Sequence, residues 1–104
     1  MKVIEEGHVY QLQNSDNAET FQTLTFIKRE NGALVHDGAQ NEEVIAALID
    51  RLIFLDKALS CIENKKALSA LQLSLSWLES RTKRRIEQGV EKTDQPHDSG
   101  AKVE

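Results

Sequence analysis

Arg81, Lys83, Arg84 and Arg85 crowd four cations into five positions, a spacing suited to holding an anion. They end a basic segment. Residues 51–85 carry eight Lys and Arg against three Asp and Glu, a net +5, and the rest of the 104-residue chain carries five against fourteen, a net −9. The overall charge of −4 argues against a general DNA- or RNA-coating protein, in which Lys and Arg should dominate. A compact anion fits better than a polymer, because the acidic remainder would repel a long phosphate backbone. The same cations also suit the solvated end of a helix, where they complement its dipole. Spacing alone leaves both readings open.

Catalytic chemistry has no foothold. The chain has no Gly-rich phosphate loop, HExxH, GxSxG or paired-Cys motif. Its histidines, His8, His36 and His97, are scattered, and its single cysteine, Cys61, excludes an internal disulfide or a multi-Cys zinc site. Cys61 falls at an expected helix start, where a dipole favours thiolate, but no His neighbours it, so it reads as a buried cap-region thiol. Trp77, on a leucine-rich helix, reads as core or interface. The expectation is a protein with no enzyme activity, metal or cofactor.

The elements that position these residues follow from local pattern. Val9–Gln13 alternates, Phe21–Lys28 is the best strand, and Asn31-Gly32 is a hairpin turn before a return strand at Ala33–His36. Two or three such strands make a marginal sheet that needs a partner. Asn41 should cap a helix whose apolar residues run from Val44 to Leu59, a stripe wider than one partner requires. Ser60-Cys61-Ile62-Glu63 matches a capping box, so a second helix should start near Cys61 or Asn64. Leu68, Leu71, Leu75 and Leu78 repeat along it, with Ile86 continuing the face and Gly89 as the residue after its end. That helix should run about 40 Å.

The fold expected is α+β, a short N-terminal antiparallel sheet followed by a long two-helix antiparallel hairpin. Residues 1–90 would form one domain, with β structure over about 3–37 and the hairpin over about 41–89. Residues 91–104, with Val103 their only large apolar side chain, read as a largely disordered tail. A chain this short buries a modest fraction of its surface, so oligomerisation is expected. The opening residues read as lacking a secretory leader, and no apolar run approaches the roughly 18 residues of a membrane span; the expectation is a soluble intracellular domain.

Between Ala46 and Thr93 the chain carries Asp50-Arg51-Leu52, the Cys61-x-Glu63-Asn64 turn, Trp77-Leu78-Glu79-x-Arg81-Thr82, Arg85 and Gly89-Val90-Glu91-x-Thr93. This stretch resembles the helical hairpin shared by phage Thoeris anti-defence and anti-CBASS sponge proteins, which sequester nucleotide immune signals. The preceding Phe26-Ile27-Lys28-Arg29 and Asn41-Glu42-Glu43-Val44-Ile45 look like the Thoeris branch. The chain departs from the pattern at Ser60 and Lys92, where relatives often carry Pro and Gly.

The resemblance implies a phage-encoded, non-enzymatic protein of the host cytoplasm that binds cyclic ADP-ribose isomers (glycocyclic ADP-ribose) and blocks Thoeris signalling. By motif position Phe54, Asn64, Arg81 and Arg85 should form the ligand site. Phe54 offers a face for adenine, Asn64 a donor and acceptor for a base edge or ribose, and Arg81 a fork for pyrophosphate oxygens. Taken as residues alone, Phe54 could equally face the core, Asn64 cap its helix and Arg81 pair with an acid. The resemblance also implies homodimers assembling into hexamers (trimers of dimers) and, in some relatives, a second site for cyclic trinucleotides. Lys28 and Arg29 are the candidates for that site, with an exposed strand-end pair blunting a sheet edge as the alternative.

Geometry adds a separate expectation. Asn64 and Arg81 are about 25 Å apart on one straight helix, further than a cyclic mononucleotide reaches. A pocket shared by two copies would solve this, with their second helices antiparallel near Gln72-Leu73 and a seam using Leu68, Leu75 or Leu73. The rival is a small oligomeric helical adaptor or a weak nucleic-acid module using Arg81-x-Lys83-Arg84-Arg85. No membrane association and no stable DNA or RNA partner are expected.

Overall fold

The computed structural model describes residues 1–89. The expected tail and Lys92 lie outside the described residues. Five strands precede two helices, so the chain is α+β as its pattern predicts, and it divides into one unit of Met1–Gln40 and a second that begins at Asn41.

In the first unit, β1 (Lys2–Glu5), β2 (Val9–Gln13) and β3 (Phe21–Thr25) form an antiparallel sheet in that order. Val3 lies opposite Tyr10, and Tyr10 opposite Leu24, so one face is apolar. Tyr10 meets Phe26 edge-on at 5.8 Å. β4 (Lys28–Glu30) and β5 (Ala33–His36) form a separate antiparallel ribbon. Asn31 and Gly32, with φ of 53° and 79°, supply the two left-handed positions of its tight turn.

The single strand expected over Phe21–Lys28 is therefore cut in two. Phe26 N–H leaves the sheet to donate to the His8 carbonyl at 2.7 Å, and Ile27 N–H donates to Ala39 O at 3.0 Å. Ala39 N–H in turn donates to Thr25 O at 2.9 Å. A Cβ on Gly38 would stand 2.5 Å from Thr25 O, so only glycine permits the returning chain to bridge there. β1 falls within the expected β segment but is not marked as a separate strand by the sequence, because Lys2-Val3-Ile4-Glu5 has no clean alternation.

The second unit contains α1 (Asn41–Ala58) and α2 (Ile62–Glu87). Asn41 is the first helical residue, one position inside its expected cap role, and Glu42 and Glu43 occupy the first turn. The cap of α2 is Cys61, whose Sγ accepts from the Asn64 amide at 3.4 Å, so the thiol replaces the Ser60 hydroxyl of the expected capping box. Cys61 is exposed, not buried. At the other end Gln88 caps the helix and Gly89, with φ of 74°, follows it as expected.

On α2 the covered positions Asn64, Leu68, Leu71, Leu75, Leu78, Thr82 and Arg85 recur at alternating four- and three-residue steps. On α1 they include Glu42, Ile45, Ile49, Leu52 and Leu55. Thr82 Oγ1 contacts Glu42 Oε2 at 3.5 Å, and Lys65 Nζ contacts Asp56 Oδ2 at 2.8 Å. Those pairs join the far end of each helix to the near end of the other, so the hairpin is antiparallel.

Ile86 does not continue the face: it is 59% exposed, while Arg85 is 7% exposed. The reason is angular: seven residues after Leu78, Arg85 lies within about 20° of it around the helix, whereas Ile86, eight residues after, lies about 80° away. α1 has 18 residues and α2 has 26. Among the described residues no hydrophobic side chain is fully buried, and no helix is long and apolar enough to cross a membrane.

Candidate ligand-binding site

The hairpin has a closed end, at the turn between the helices, and an open end, where α1 begins and α2 finishes. Phe54 and Asn64 belong to the closed end; Arg81 and Arg85 belong to the open end. Asn64 and Arg81 sit 17 positions apart on one continuous helix, about 25 Å. One chain therefore does not bring the four residues together.

Phe54 lies two residues beyond the covered Leu52, about 200° around the helix. Its ring is 69% exposed on the side of α1 away from α2, which disposes of the core-facing alternative. Asn64 sits on the covered stripe of α2, half-buried, with Nδ2 donating to Leu59 O at 3.5 Å. Arg81 is exposed and forms no ion pair among the described residues. Arg85 is buried, on the same side of α2 as Thr82.

Asp56 is the residue the sequence reading missed. Oδ1 accepts from the Cys61 amide at 3.2 Å, and Oδ2 accepts from Lys65 Nζ at 2.8 Å. The Lys65 ammonium, helped by the Cys61 amide, holds the Asp56 carboxyl below its ordinary value against the opposing effect of burial. Its signal was available: Asp56 is one acid in an apolar run, facing a turn with a lysine just beyond.

The second-site candidates lie in the first unit. Lys28 Nζ contacts Glu5 Oε1 at 2.5 Å and Glu30 Oε1 at 3.5 Å, while His36 Nε2 stands 3.3 Å from Glu5 Oε2. Glu5 of β1 thus grips cross-strand neighbours on β4 and β5, tying the ribbon to the sheet. Lys28 holds the Glu5 carboxyl below its ordinary value, and Glu5 raises Lys28. Arg29 is half-buried and takes no part in this clasp. His8 packs edge-on against His36 at 6.0 Å, but among the described residues no group of three or more His, Cys, Asp or Glu side chains is placed to hold a metal.

The outer face of α2 carries Leu73, 61% exposed, and Trp77, 69% exposed, with Ile62. Leu68 and Leu75 lie on the stripe towards α1. Of the three leucines considered for an inter-chain seam, Leu73 alone faces outward.

No family model matches the chain. It is 42% identical over 65 residues to Thoeris anti-defense 1 of Bacillus phage SBSphiJ7, a match covering 62% of this chain. The same match covers 44% of that phage protein, so the chain spans less than half of its relative's length. Over that shared stretch, the chain is similar to a phage Thoeris anti-defence protein.

Proposed function

We propose that the protein is a sponge: it binds cyclic ADP-ribose-type signals without cleaving them and so blocks Thoeris signalling. The observation that carries this reading is the division of ligand-competent groups between the two ends of a hairpin. Phe54 and Arg81 are both exposed, at opposite ends, and a second copy is needed to unite them. The antiparallel arrangement about Leu73 places Arg81 of one copy towards the closed end of the other. Leu73 and Trp77 provide apolar surface for that contact, and the lack of a buried hydrophobic side chain among the described residues favours it. Phe54 stacks on the base, Asn64 reads an edge, and Arg81 takes pyrophosphate oxygens. Arg85 adds positive charge behind Arg81.

Sequestration requires tight binding and slow release, not chemistry. Enclosure between copies desolvates the anion and strengthens its contact with Arg81. Dimers of this kind would assemble further as trimers of dimers. A second site for cyclic trinucleotides would centre on Arg29, with Lys28 joining only by exchanging Glu5 for the ligand.

Calorimetric titration with cyclic ADP-ribose and its glycocyclic isomers, followed by heat release, tests the reading. Tight binding and recovery of intact ligand are expected. Recovery of a cleaved product would indicate an enzyme. Absence of binding, with steeply salt-dependent DNA binding insensitive to Phe54→Ala, would indicate a nucleic-acid module instead.

A further inference from the structure

Asp56 lies in the last turn of α1 and closes Leu59-Ser60-Cys61 into a hydrogen-bonded loop through the Cys61 amide, at 3.2 Å, and Lys65, at 2.8 Å. Within that loop the Leu59 carbonyl accepts from Asn64 Nδ2 at 3.5 Å. A carbonyl only accepts, so the side-chain atom facing it must be the nitrogen, which fixes the sense of the carboxamide. Asn64 Oδ1 has no donor among the described residues. One N–H of Nδ2 also remains. Asn64 therefore presents an adjacent acceptor and donor.

We infer that Asp56 is a positioning residue that holds Leu59 O, and through it Asn64, so that Asn64 reads the amino and ring-nitrogen edge of an adenine base. That edge offers a donor beside an acceptor, the pattern an Asn side chain pairs with in two parallel bonds. A base with a carbonyl in place of the amino group sets oxygen against Oδ1 and is rejected. A phosphate oxygen, which only accepts, leaves Oδ1 unpaired. The identity of the ligand rests on the sponge reading; the positioning of Asn64 rests on the turn alone.

The two parts are separable by experiment in the full chain. In ¹⁵N-labelled protein without nucleotide, Asp56→Ala should shift both Asn64 side-chain amide signals. Asp56→Asn serves as the second variant if Asp56→Ala does not fold. Asn64 signals unchanged by either Asp56 substitution overturn the positioning role. In calorimetry, hypoxanthine counterparts of the cyclic ADP-ribose isomers should bind the natural chain at least about tenfold more weakly than the adenine forms. That ratio should approach one in Asn64→Ala and in Asp56→Ala, and the double variant should bind no more weakly than Asn64→Ala alone. Equal affinity for the two bases in the natural chain overturns the reading of Asn64. A natural chain that binds neither overturns the sponge reading, and the amide signals then decide the positioning role by themselves.

Discussion

At the closed end of the hairpin, Asp56 gathers the Cys61 amide and the Lys65 ammonium onto one carboxylate, whereas at the open end Thr82 contacts Glu42 at 3.5 Å. The closed end has a fixed loop and a carboxamide with a defined sense. The open end has an exposed guanidinium on a helix that has outrun its partner. A rigid end suits recognition of a base edge, where a small rotation destroys a paired set of hydrogen bonds. An exposed guanidinium suits capture of a charged group, where the field of Arg81 tolerates some displacement.

Four measurements would break or sharpen this contrast. The largest effect should come from the open end: Arg81→Ala should weaken binding of a cyclic ADP-ribose isomer by about 10- to 100-fold, as loss of a charged hydrogen-bonding partner does. The oligomer, read by light scattering, should survive. Phe54→Ala should follow, at roughly tenfold by calorimetry, the scale of one lost base stack. Third, Asp56→Ala should lower the melting temperature more than Thr82→Val, which should shift it by no more than about 3 °C. Equal effects would erase the distinction between the ends.

The smallest effect is in acid. The Asp56 carboxyl is held below its ordinary 3.8, so its stabilisation is fully present above that value and is lost as pH falls through the depressed one. Amide exchange protection at Cys61 should fall in that window. Protection at Ile86, beyond the reach of Asp56, should not follow it.

The sequence made the helices legible because their covering is local. The steps from Leu68 to Leu78 needed only 3.6-residue periodicity, and Asn31-Gly32 needed only two left-handed positions. What failed depended on partners far along the chain. The break in Phe21–Lys28 is made by Ala39 and the bare backbone of Gly38. Ile86 was misplaced because the covered stripe steps from Leu78 through Thr82 to Arg85, which leaves Ile86 about 100° beyond it. Cys61 took the capping role from Ser60 because a thiol one residue later reaches the Asn64 amide. For the site, charge pattern left a compact anion and a solvated helix end both open, and the motif resemblance singled out Phe54, Asn64 and Arg81. Neither located Glu5 or Asp56, whose roles come from side chains that meet only after folding.

The stepwise stripe of α2 has a consequence for how such proteins can diversify. Asn64 and Arg85 are the first and last positions of one repeating pattern, so the pattern works as a gauge of the distance between the two ends. Adding or removing seven residues in both helices would preserve every facing pair and change the gauge by about 10.5 Å. Adding three or four in α2 alone would shift later side chains by about one helical turn against their partners on α1. Descendants that accommodate ligands of different size would therefore be expected to differ in helix length by whole sevens, with the sequences of both ends retained.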